Sequence, residues 1–139
     1  MAKVIAVGLD GSEPSWKALK EASWLAKQHG AELLVISIQE DIEASYSPSE
    51  VLAAEKTARN ALESVQAEAQ FLAETEGVQV ATCILTGNPT GGLAECVKKN
   101  GVDLLVIGDR GHSSIWGALL GTTAEKVVRV APCSVLVVR

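Results

Sequence analysis

The sequence predicts an α/β fold: a three-layer α/β/α domain with a five-stranded parallel sheet and four helices. Short runs of Val, Ile and Leu recur along the chain, as strands covered on both faces require. Segments with a single apolar helical face separate these runs. Aromatic residues make up only 4% of the chain while Ala, Val and Leu abound, which suits helices set close on a sheet better than a β-sandwich.

The expected strands cover residues 3–9, 32–38, 79–85, 103–107 and 134–138. The third mixes Gln79 and Thr82 with Val80 and Ile84, so it reads as an edge strand. The first helix follows Ser12, a good N-cap, with Pro14 in its first turn, and carries Ala18, Leu19, Ala22, Leu25 and Ala26 on one face. Gly30 stands where a left-handed residue ends a helix. The second helix opens at Ser47-Pro48-Ser49-Glu50, a capping box with Pro at the first helical position. Its expected buried stripe is Ala58, Ala61, Leu62, Val65, Ala69 and Leu72, and it stops at Gly77. The third helix starts at Asn88-Pro89 and ends near Gly101; the fourth runs from about 121–123 to Ala131-Pro132. Residues 40–47 are the most loop-like stretch outside the turns.

A chain of 139 residues has the size of one domain, expected here over 1–139, and builds a core without staples. A formal net charge of −5 argues against a general nucleic-acid surface. The opening residues lack the pattern of a signal peptide, and no apolar run approaches the ~20 residues that span a bilayer, so the expected location is the cytoplasm. Cys83, Cys96 and Cys133 are widely spaced and read as core filler, not as a zinc site, redox pair or disulfide frame.

Strict alternation implies right-handed crossovers and a parallel sheet. Two strand orders fit: 2-1-3-4-5, or the Rossmann-like 3-2-1-4-5 with its switch point between the first and fourth strands. The turns bear on the choice. The first strand ends in Gly8-Leu9-Asp10-Gly11-Ser12, and the fourth in Ile107-Gly108-Asp109-Arg110-Gly111-His112. The latter connection is long and glycine-studded, and reaches a helix start at Gly121-Thr122-Thr123. Glycines at 108 and 111 allow tight turning and close approach of a ligand. Unpaired N–H groups at a helix start favour an anion, and Arg110 and His112 add positive charge. Asp10 suits ribose or an exocyclic amine, or else a local turn with Gly11 and Ser12. If Asp10 and the Gly108 loop share one site, only the order 3-2-1-4-5 makes their strands neighbours.

The spacing Gly108-x2-Gly111-x9-Gly121-Thr122 resembles the G-x2-G-x9-G-[ST] pattern of ATP-binding universal stress proteins (UspA-like). Asp10-Gly11-Ser12, Gly87-Asn88-Pro89 and the closing Pro132-Cys133-Ser134 also resemble that family, and the likeness runs along the whole chain. It implies an adenine nucleotide alpha hydrolase-like fold. It also implies ATP held with Mg2+ or Mn2+ on the phosphates, no protein metal site, and a role in the stress response. Leu9, Asp10 and Gly11 would meet the adenosine, and Ile38 would lie against adenine. Ile107, Gly108 and Gly111 would line ribose and phosphates, with Arg110 and His112 at variable positions. Gly121, Thr122 and Thr123 would hold the phosphates. Two positions depart from many members: Gly8 replaces Pro and Thr122 replaces Ser, and neither removes a needed donor. AMP and cyclic nucleotides remain open as ligands.

The sequence has no Walker A run, dinucleotide fingerprint or Gly-x-Ser-x-Gly elbow. A receiver domain would need an acidic cluster and a Lys after the last strand, which are missing. Asp109 is the sole candidate in the loop to orient a water, so at most slow ATP hydrolysis is expected and no dedicated enzyme. Residues 135–138 form an uncharged apolar edge in the 3-2-1-4-5 order, which invites a homodimer through the last strand, as similar proteins do. The alternative function is a dimeric interaction protein that needs no nucleotide.

Overall fold

The computed structural model describes residues 2–42, 46–110 and 121–139. Its elements are β1 (Val4–Gly8), α1 (Glu13–His29), β2 (Glu32–Gln39), α2 (Pro48–Thr75), β3 (Val80–Thr86), α3 (Pro89–Lys99), β4 (Leu104–Gly108), α4 (Thr122–Val130) and β5 (Ser134–Val138). The sheet order is β3-β2-β1-β4-β5, with every neighbouring pair parallel. This settles the choice of strand order and places β1 beside β4, with Val7 level with both Val35 and Val106.

The alternation of side chains along each strand builds two cores. Ile5, Val7, Leu33, Val35 and Val106 face α1 and the C-terminal part of α2. Ala6, Ile36, Leu105 and Ile107 face α3 and α4. On the first face the helices contribute mainly alanines, Ala18, Ala22 and Ala26 from α1 and Ala69 and Ala73 from α2, all essentially inaccessible. Small side chains let the helix backbones approach the sheet closely.

Helix starts follow the local chemistry. Ser12, Ser47 and Asn88 each stand in extended conformation and accept from the N–H three residues on. Gly30 closes α1 in the left-handed region at φ 61°. The apolar stripe expected on α2 is only partly realised. Ala69 is buried, Ala58, Leu62 and Val65 are half-buried, and Ala61 and Leu72 are exposed, while Gln66 and Ala73 are enclosed instead. The reason is placement: the C-terminal part of α2 lies on the sheet, and its earlier turns overhang the carboxyl ends of the strands.

Gln66 replaces an apolar residue because its amide has work in the core. Its Nε2 donates to Cys83 O at 2.7 Å and to Ser37 Oγ at 3.1 Å, with Val35 O at 3.4 Å. Ser37 Oγ in turn donates to Leu9 O at 2.6 Å. A buried amide nitrogen met in this way avoids the desolvation cost of an unpaired donor.

Two contacts fix β4 at opposite ends, one against β1 and one against α1. At the amino ends, Asp103 Oδ2 accepts from the N–H of Lys3 at 2.8 Å and of Val4 at 3.0 Å. At the carboxyl ends, Gly108 lies under Pro14 of α1. A Cβ on Gly108 would stand 2.7 Å from the Pro14 carbonyl carbon, oxygen and Cβ. Gly108 is therefore required by helix packing, a reason separate from the ligand approach expected of it.

The first prediction follows from Gly108. Gly108→Ala forces the start of α1 away from β4 and lowers stability by roughly 1–3 kcal/mol, as overpacking does. Gly8→Ala, whose new Cβ meets only side chains at 3.5 Å or more, serves as the tolerated control in urea unfolding. A second concerns pH. The N–H groups of Val4 and Lys3 hold the Asp103 carboxyl below its ordinary value. Because the folded value lies below the unfolded one, this stabilisation is complete well above about pH 4 and fades as pH falls through the folded value. Asp103→Asn is therefore expected to lower the urea midpoint at pH 7. The gap from the parent should close in acid, and an equal gap at all pH values would contradict the assignment.

Candidate functional site

The carboxyl ends of β1, β2 and β4 open into a cavity of about 530 Å3. It lies at the switch point, where α1, which follows β1 in the chain, packs on one face of the sheet and α4, which follows β4, packs on the other.

The β1 side is a tight turn. Asp10 Oδ1 accepts from Ser12 N at 2.9 Å and Ser12 Oγ at 2.5 Å, so Asp10 does shape the turn. Gly11 stands behind it at φ 88°, a conformation that side chains disfavour. Ser15 Oγ donates to Ser12 O at 2.8 Å, and the Trp16 indole N–H donates to Gly11 O at 3.1 Å. These bonds hold Asp10 at the cavity wall, which Gly8, Leu9 and Ser15 share. Gly11 belongs to the turn and not to the wall.

The β4 side carries the electropositive features. Ile107, Gly108 and Arg110 line the cavity. Arg110 Nε stands 3.5 Å from Asp109 Oδ1, and the Asp109 carboxylate is largely enclosed. Asp109 N donates to Val138 O and Asp109 O accepts from Gly121 N at 2.7 Å, which brings the start of α4 back to the end of β4. Gly121 is the N-cap of α4 and has no side chain to occupy the N–H groups of the first turn. Gly121, Thr122 and Thr123 all line the cavity, so the positive end of the helix dipole faces into it. The expected site residues Gly111 and His112, like Trp116 of the same loop, lie outside the described residues.

The β2 side is mainly apolar. Ile36 and Ile38 line it, and a Cβ on Gly92 would come within 3.0 Å of Ile38 Cδ1, so α3 packs its first turn on Ile38. Beyond β2, Gln39, Glu40, Asp41 and Ile42 continue the wall, and Ala58, Ala61 and Leu62 of α2 face them. Gln39 Nε2 donates to Glu55 O at 3.0 Å and fixes the overhanging turns of α2. Sequence reasoning missed these residues and Pro89 and Leu93 of α3, because 40–47 read only as a loop and the α2 stripe read only as core. The signal was the length of the helix between its cap at Ser47 and Gly77, about 42 Å at ~1.5 Å per residue, which exceeds the roughly 23 Å covered by a strand of about seven residues.

The cavity is thus graded. Carboxylates at Asp10, Glu40 and Asp41 mark the β1–β2 side; Arg110 and the α4 terminus mark the β4 side; an apolar compartment lies between β2, α2 and α3. Among the described residues, no three His, Cys, Asp or Glu side chains group as a metal site, and no helix is long and apolar enough to cross a membrane. Cys83 and Cys96, far apart in sequence and expected to be unrelated, bring their sulfurs to 3.9 Å.

Comparison with known proteins agrees with this architecture. A universal stress protein of Methanocaldococcus jannaschii is 34% identical over 99% of this chain and 82% of its own. The solved structure of UspA from Lactobacillus plantarum superposes with a TM-score of 0.90 at 26% identity, covering 99% of this chain and 97% of that one. A universal stress protein solved in complex with cAMP superposes at 0.78, with 27% identity over the same shares. The Universal stress protein family matches residues 1–139. On that match and on the shared β3-β2-β1-β4-β5 sheet, the chain belongs to the universal stress protein family.

Proposed function

We propose that this protein binds ATP in the switch-point cavity as a regulatory ligand of the stress response, acting in the cytoplasm as a homodimer. The observation that carries the reading is the single cavity wall that joins Asp10 at the end of β1 to the open N-terminus of α4 beside β4. Its volume of about 530 Å3 falls within the usual range of small-molecule sites. The relative solved with cAMP supports an adenine nucleotide as the ligand class.

The grading of the walls gives the orientation. Ile38 and Leu62 offer an apolar slot for adenine, with the backbone after β2 at hand for its polar edge. Asp10, oriented by Ser12, would accept from ribose hydroxyls. Gly108, Arg110 and the start of α4 at Gly121, Thr122 and Thr123 would hold the phosphates, together with Gly111 and His112. A divalent ion, Mg2+ or Mn2+, would ride on the phosphate oxygens and neutralise part of their charge. The carboxylates on the β1–β2 side disfavour phosphate there and so reinforce the same direction.

A regulatory role suits these groups better than rapid turnover. Asp109, the loop's candidate for orienting a water, stands beside Arg110 and does not line the cavity. The edge of β5 supports assembly. Val138 O is taken by Asp109 N, and a strand residue points its N–H and C=O to one side. Val135 and Val137 therefore direct their backbone groups away from β4, to the outer edge, where a second copy could pair.

The deciding experiment is a calorimetric titration of nucleotide-stripped protein with Mg·ATP. Saturation near one site per chain is expected. Ala61→Trp, a solvent-exposed position on the α2 wall, should weaken binding about tenfold or more while leaving the far-UV CD unchanged. No saturable heat at several temperatures would favour the nucleotide-independent interaction protein. For the assembly, sedimentation at micromolar concentration should give a dimer that Val137→Pro shifts toward monomer; a parent that is monomeric throughout would overturn the β5 interface.

A further inference from the structure

β3 is an outer strand, and Cys83 stands half-buried in its middle. It belongs to the same core as Cys96, which α3 carries and which is buried. The sulfurs are 3.9 Å apart, about 2 Å short of bonding distance. Asn100 Nδ2 lies 3.4 Å from Cys96 Sγ and steadies that thiol. Cys133 precedes β5, at the opposite edge of the sheet from β3.

We propose that Cys83 and Cys96 form a reversible oxidation site, in which a hydroperoxide converts the pair to an intramolecular disulfide tying β3 to α3. The two thiols have different positions and therefore different parts. Cys83, on the outer strand, meets the oxidant: its sulfur bonds to a peroxide oxygen, the O–O bond breaks, and hydrogen peroxide is reduced to water as Cys83 becomes a sulfenic acid. Cys96 then attacks that sulfur. The S–S bond forms, the S–O bond breaks, and the hydroxyl leaves with the Cys96 proton as a second water. Burial first, and Cys83 beside it second, push the Cys96 thiol up to about 11, so at neutral pH it stays protonated and sheltered until its neighbour is oxidised. A dithiol reductant reverses the bond by exchange.

The cross-link would be felt at the cavity. Leu93, one turn before Cys96, and Pro89 line its wall, and Gly92 rests on Ile38. A bond from Cys96 to Cys83 fixes that wall to the edge strand and closes a loop spanning the β3–α3 turn.

The test is thiol counting on the reduced full chain exposed to hydrogen peroxide, with peptide mapping of the product. Two of the three thiols should disappear with a mass loss of two hydrogens, and the mapped link should join Cys83 to Cys96. Cys133 should remain open to alkylation, and dithiothreitol should restore all three. Cys133→Ser should keep the reaction, whereas Cys83→Ser and Cys96→Ser should each abolish it. The proposal fails if Cys83 passes to sulfinic acid without a cross-link, or if disulfides form only between chains through Cys133. It also fails if all thiols persist at peroxide levels that oxidise a short Cys83 peptide. None of these readings needs a nucleotide, so the result stands apart from the ATP titration.

Discussion

The adjacency of β1 and β4 is the constraint on which the cavity depends. The helices that follow them, α1 and α4, pack on different faces, so a gap opens above the pair, and a carboxylate turn after β1 and a helix start beside β4 meet in it. The pairing is short, three residues of register from Ile5–Leu104 to Val7–Val106, and is reinforced outside the ladder. Asp103 holds the amino ends through two backbone N–H groups. Gly108 lets α1 settle on the carboxyl end of β4. Were α1 lifted there, the Ser12–Asp10 turn, which leads directly into that helix, would move with it.

This arrangement divides labour along the strands. Packing of aliphatic side chains on both faces supplies the non-directional stabilisation. Polar groups gather at the strand ends, where backbone N–H and C=O groups must find partners other than the ladder. Asp10, Ser12, Ser15, Gln39 and Asp109 each satisfy or orient such a group. The cavity is therefore lined by groups already fixed by the fold, which lowers the ordering cost of binding.

Much of this was legible in the sequence because it is local. Nearly continuous Val, Ile and Leu runs located four of the strands, the mixed run at 79–85 located the edge strand, and Ser12, Ser47 and Asn88 marked helix starts to within a residue or two. The strand order was reachable only by requiring Asp10 and Gly108 to share a site, and the sheet has that order. What stayed hidden depends on how elements are set against one another. An amphipathic stripe does not say where a helix leaves its sheet, so Ala61 read as core and instead forms cavity wall. Gly108 read as a ligand contact, and its backbone approach to Pro14 required the placement of α1. Cys83 and Cys96 meet through the register of α3 on β3, which their spacing does not encode.

Gln66 fixes something that the alanines around it do not. Ala69 and Ala73 are small and nearly featureless, and a smooth apolar contact changes little if a helix slides along its axis. The Gln66 amide reaches oxygen atoms on β2 and β3, and through Ser37 it is linked to the carbonyl that follows β1. A slip of one residue, about 1.5 Å along the helix, would strand that amide in an apolar layer. One side chain thus acts as a vernier for the longest helix, setting how far its free turns project and hence how deep the chamber beneath them is.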